Sequence, residues 1–159
     1  MRRVSPRWTT PSLPTSRAVL LDDRLLVALL VGAPVRLPRR ATIDTTTYWY
    51  YRACRAAVVG GAGHLSGPFA DLAPVEQAAA IEALLHLPDD IGLPDSRAVV
   101  PEMVRVHRRH HQLNLLNLEA AAAAIVLAAL VLLSPPAARG VLPGVLDAEG
   151  ITWQVVEAT

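Results

Sequence analysis

The chain is 159 residues long, 52% hydrophobic and 18% charged, with a net charge of +1. That length suits one domain with a sizeable core, and high hydrophobicity with low net charge excludes a disordered chain. The single cysteine, Cys54, excludes a disulfide framework and points to the reducing cytoplasm.

All fifteen basic residues are Arg. Residues 1–18 carry four of them and no acid, whereas the rest of the chain sets eleven Arg against fourteen acids, a net −3. A mildly acidic body argues against nucleic-acid binding over the whole surface; any such contact is local. The start, MRRVSPRWTTPSLPTSR, has basic residues but no apolar stretch before Asp22, so it does not read as a signal peptide. Its three prolines, spaced by Ser and Thr, read as a flexible basic tail over 1–17, with one domain over 18–159.

Ala18-Val19-Leu20-Leu21 reads as a buried strand, after which Asp22 or Asp23 caps a helix over 24–31 that Gly32 and Pro34 stop. Ala41-Thr42-Ile43 is expected as a second strand. Thr45, Thr46 and Thr47 then supply an N-cap for a helix over 48–59 that contains WYYRACRAAVV. GGAGHLSG, residues 60–67, reads as a flexible linker or lid; it lacks the GK[ST] of a P-loop and the spacing of a dinucleotide fingerprint. A helix is expected over 74–87, opened by Pro74 and ended by Pro88. Ile91–Pro94 reads as a short strand or a loop, and 98–111 as a helix. LNLLNL, residues 113–118, reads as a connector.

Glu119 opens an Ala-rich helix to about Leu130, and Val131-Leu132-Leu133 reads as a strand. The uncharged run from Ala120 to Leu133 spans 14 residues against the ~20 a membrane helix requires, so it reads as a buried helix entering a buried strand, with no membrane association. A helix over 137–149, ended by Gly150, and a strand over 151–156 complete the chain. Short apolar strands separated by helices predict an α/β fold with a mainly parallel central sheet and helices on both faces. Ligands of such sheets bind at the carboxyl ends of the strands, where Asp22 sits.

Three clusters carry candidate chemistry. Asp22 and Glu119 meet at one rim if their strands are neighbours, and a pair of carboxylates suits a hard cation such as Mg²⁺; the same acids equally suit helix caps. Arg105, His107, Arg108, Arg109, His110 and His111 crowd one helix end, where a dipole-favoured solvated cluster, a phosphate contact and a transition-metal site are the three readings. TTTYWYYRACR, with Arg52 and Arg55 on one side, reads as core plus partner interface or as a base-stacking, phosphate-gripping surface.

VLLDDRLLVALLVG resembles the opening of PIN-domain nucleases: a strand, an acid, then an apolar helix. LEAAAAAIVLAALVLLSPPAARGVLPGVLDAEGITWQVV resembles their second half. There an acid leads an Ala-rich helix, a strand ends in a hydroxyl residue (Ser134), and a helix, Gly150 and a last strand follow. The resemblance implies a three-layer α/β/α PIN-like domain. It further implies a Mg²⁺-dependent ribonuclease, often a toxin of a bacterial toxin–antitoxin pair, with Asp22 and Glu119 as catalytic metal ligands and Arg52, Arg108 and Arg109 along the RNA. The family's second acid has no match, because Tyr48-Trp49-Tyr50-Tyr51-Arg52 occupies its place and Asp44 falls a turn early. Its last acid is replaced by Pro135-Pro136. A two-metal clamp needs several bridging carboxylates, so the alternative is a non-catalytic PIN-like protein that binds a partner protein or RNA. RNA, an antitoxin or other partner protein, and a second copy of the chain are the partners these readings admit.

Overall fold

The computed structural model describes residues 17–59 and 67–158. Residues 1–16 of the basic tail and residues 60–66 of the Gly-rich segment lie outside the described residues, so the readings made of them stay as sequence expectations. Five parallel strands form one sheet in the order β3-β2-β1-β4-β5: β1 (Ala18–Leu21), β2 (Thr42–Thr45), β3 (Ile91–Gly92), β4 (Leu130–Leu133) and β5 (Trp153–Val155). The helices are α1 (Asp23–Leu30), α2 (Thr47–Val59), α3 (Gly67–Ala70), α4 (Pro74–Leu85), α5 (Ser96–Arg109), α6 (Leu115–Leu127), α7 (Pro135–Ala138) and α8 (Leu142–Ala148).

The first strand lies at the centre, with Leu20 paired to Asp44 of β2 on one side and to Val131 of β4 on the other. Side chains alternate across a strand, and the two faces separate accordingly. Val19, Leu21, Leu130 and Leu132 pack with Leu25 and Leu29 of α1. Leu20, Val131 and Leu133 face the other way, onto α6 and onto Val145 and Leu146 of α8. A further cluster around Leu26, Ala53, Phe69 and Leu84 joins α1, α2, α3 and α4. The result is the expected three-layer α/β/α arrangement. The sheet core strands are buried on both faces, which explains why AVLL and LVLL read as continuous apolar runs rather than alternating ones.

Several boundaries move. α6 starts at Leu115 rather than Glu119, because Asn114 is its cap: the Asn114 side chain accepts a hydrogen bond from the Asn117 N–H at 2.9 Å. It stops three residues early, with Ala128 in the left-handed region at φ 48°, and the chain then turns into β4. Ala120 to Ala124 are all essentially inaccessible; their lack of bulk lets α5 and α6 approach closely while α6 covers Leu20, Val131 and Leu133 of the sheet. The expected helix over 137–149 is two helices, α7 and α8, with Arg139, Gly140 and Val141 between them. Among the described residues no helix is long and apolar enough to cross a membrane.

Candidate functional site at the carboxyl rim

The carboxyl ends of β1, β2 and β4 and the N-termini of α1, α2 and α7 converge on one rim. The first turn and a half of α6 joins them through Glu119, which reaches α2. Asp22 follows β1 directly. It is fully covered and is the N-cap of α1: its Oδ1 accepts from the Leu25 N–H at 2.9 Å. Its Oδ2 accepts from both the N–H (2.7 Å) and the hydroxyl (2.6 Å) of Ser134, at the end of β4. Burial pushes the Asp22 carboxyl above the ordinary carboxylate range, against the pull of the Ser134 hydroxyl and of the backbone donors. Asp22 therefore ties two neighbouring strand ends together.

Glu119 comes from α6 but serves α2. Its Oε1 accepts from the Thr47 N–H at 3.1 Å and its Oε2 from the Tyr48 N–H at 2.8 Å. A helix leaves its first N–H groups without internal partners, and here two of them are met by a carboxylate 72 and 71 residues further along the chain. The Thr46 hydroxyl completes the set by accepting from the Trp49 N–H at 3.1 Å. The negative charge also lies at the positive end of the α2 dipole.

The structure thus brings Asp22 and Glu119 to the same rim, each with both carboxylate oxygens occupied by protein donors. Neither lines the cleft that opens there. That cleft, about 240 Å³, is lined on its polar side by Asp23, Arg52, Asn114, Asn117 and Ser134 and on its apolar side by residues such as Leu116 and Leu142. Asp23, not Asp22, is the acid that faces it. Its Oδ2 lies 3.2 Å from Nε of Arg52, whose side chain is 42% exposed while that of Asp23 is 8% exposed. The capping rule carried part of the signal: Asp22, as N-cap, folds back onto the Leu25 N–H, while Asp23, in the first turn, accepts from the Arg24 N–H at 2.8 Å through Oδ1 and turns Oδ2 to Arg52.

The other sequence candidates separate. Arg108 and Arg109 do not line the cleft that Arg52 lines. Arg109 instead donates to both oxygens of Glu149, from Nε at 2.8 Å and Nη2 at 2.9 Å. His110 Nε2 lies 2.7 Å from the same Oε1. His107 and His111 meet ring edge to ring face at 5.6 Å, so the three histidines do not converge as a ligand set. Among the described residues no group of three or more His, Cys, Asp or Glu is placed to hold a metal ion. Trp49, expected to share a partner-binding face, is buried in the α6 cluster, because α2 turns it inward. Tyr48, Tyr51, Arg55, Val58 and Val59 form the outward stripe of α2 instead. Cys54 is a half-buried thiol whose Sγ lies 3.7 Å from the Leu84 carbonyl.

A divalent cation needs several oxygen ligands aimed at one point. Asp22 is covered and spent on Leu25 and Ser134, Glu119 is spent on Thr47 and Tyr48, and Asp23 is held by a guanidinium. The residues present do not fit such an ion.

No family model matches the chain, and no curated protein matches it. Among solved structures, the chain is similar to a chain of VapBC-1 from nontypeable Haemophilus influenzae, with 13% identity over 87% of this chain and 97% of that one and a TM-score of 0.49.

Proposed function

We propose that this protein is a PIN-like domain that acts by binding a partner protein rather than by metal-dependent cleavage of RNA. The observation that carries this reading is the state of the rim acids. Asp22 and Glu119, the two positions that the resemblance makes metal ligands, are consumed in holding β1 to β4 and in capping α2. The stretch Tyr48-Trp49-Tyr50-Tyr51-Arg52 and the pair Pro135-Pro136 stand where the resemblance puts the family's other acids. The rim retains the architecture of a nuclease site and uses its carboxylates as struts.

The binding surface in this reading is the outward stripe of α2, Tyr48, Tyr51, Arg55, Val58 and Val59, next to the cleft that Arg52 enters. Tyr and Arg dominate the energetics of protein interfaces, and two exposed valines suit a protein partner better than a phosphate backbone. The net negative body gives no extended basic track for RNA.

The test is a cleavage assay with single-stranded RNA in Mg²⁺ or Mn²⁺, on wild type and Asp22→Asn. The expected result is no cleavage above background by either. Metal-dependent cleavage by wild type that Asp22→Asn abolishes would overturn the reading. In parallel, Tyr51→Ala and Arg55→Glu are expected to weaken partner capture in the source cells at least tenfold with circular dichroism unchanged. RNA recovered in place of protein would assign the same stripe to nucleic acid.

A further inference from the structure

We infer that Arg52 is the rim's resident counter-cation: its guanidinium occupies, beside Asp23, the place where a divalent ion would have to sit, and so closes the cleft to metal. The inference rests on the reading above that the rim works without metal, and adds what keeps it so.

The Asp23 carboxylate is nearly covered. A carboxylate removed from water is stabilised by an opposing charge held beside it. Three observations assign that role to Arg52. Its Nε is 3.2 Å from Asp23 Oδ2. Both side chains line the same cleft. The helix that carries Arg52 starts at Thr47, where Glu119 of α6 grips its first N–H groups, so one rim acid positions the cation that answers another. By contrast, Arg24 and Arg55, the other arginines of α1 and α2, make no ion pair among the described residues.

The remaining cleft donors suit this logic. Asn114, Asn117 and Ser134 contribute neutral oxygens. Alone they do not hold a hard cation, which binds through one or two carboxylates. A carboxylate at position 52 would place a second acid beside Asp23 and supply what the cleft lacks.

The inference is tested by Mn²⁺ titration, followed by calorimetry and thermal shift, on wild type, Arg52→Glu and Arg52→Gln, and by a double-mutant cycle with Asp23→Asn. Arg52→Glu is expected to bind Mn²⁺ at least tenfold more tightly than wild type and to recover melting temperature on adding it. Arg52→Gln is expected to lower the melting temperature of wild type, and to lower that of Asp23→Asn by less than half as much. The cycle uses neutral side chains and stays informative if Arg52→Glu fails to fold. A folded Arg52→Glu that titrates like wild type, or an Arg52→Gln penalty equal in both backgrounds, overturns this inference. Neither result bears on the RNA-cleavage and partner-capture assays, which decide the function proposed above.

Discussion

At the scale of single residues, the rim shows carboxylates used for cohesion. Glu119 satisfies two backbone donors at once, so Glu119→Ala leaves both without a protein partner. The expected cost is about 1–3 kcal/mol, read by urea denaturation, with α2 losing amide-exchange protection first. Asp22 behaves differently, because its folded-state carboxyl is raised by burial. A raised acid binds more protons in the folded than in the unfolded state, so its contribution to stability falls as pH climbs from its unfolded value through the folded one. The stability of wild type relative to Asp22→Asn is therefore expected to decline with rising pH above about pH 4, the ordinary range of an aspartate. A difference flat across pH would show that Asp22 titrates in the folded protein as it does in the unfolded chain. The sequence made Asp22 visible as an acid at a strand end and Glu119 as the acid leading the Ala-rich run. It did not show which oxygen meets which N–H, since the partners of Glu119 lie 72 and 71 residues away and no local pattern encodes such a distance.

At the scale of elements, what was legible follows from how each one is buried. β1 and β4 announce themselves because four successive apolar residues are enclosed on both sides. α6 does so because five alanines in a row favour helix over everything else. Its true start was hidden in LNLLNL, where Leu115, Leu116 and Leu118 look like a connector until Asn114 is recognised as a cap. The two-residue strand β3 is too short for any periodicity, and the gap between α7 and α8 falls at Arg139, Gly140 and Val141, just ahead of Pro143 in the first turn of α8. The Ala-rich run gives a direct test: Ala122 is fully enclosed, so Ala122→Leu forces a larger side chain into packed surroundings and is expected to destabilise by about 1–3 kcal/mol. At the other end of α6, Ala128 holds a left-handed conformation that glycine adopts freely. Ala128→Gly is expected to stabilise slightly, by ~0.5–1 kcal/mol, measured as an upward shift in melting temperature. The C-terminal ends of α5 and α8 are joined through Glu149, whose carboxyl is held below its usual range by the Arg109 guanidinium and then by His110. A depressed acid contributes stability above its unfolded pKa and loses it as pH falls through the folded value. Glu149→Gln is therefore expected to be less stable than wild type at neutral pH and to converge with it under acid conditions, where both lack the clamp.

At the scale of the whole molecule, the order β3-β2-β1-β4-β5 sets the strand made first at the centre and gives it partners from both halves of the chain. The long-range ties repeat that scheme: Asp22 reaches 112 residues forward to Ser134, and the first turn of α2 waits on Glu119. During synthesis, then, the opening third of this protein emerges with its central strand half-paired and its second helix missing the carboxylate that steadies its start. A chain released before Ser134 is expected to stay protease-sensitive over its whole length rather than to form a resistant N-terminal lobe.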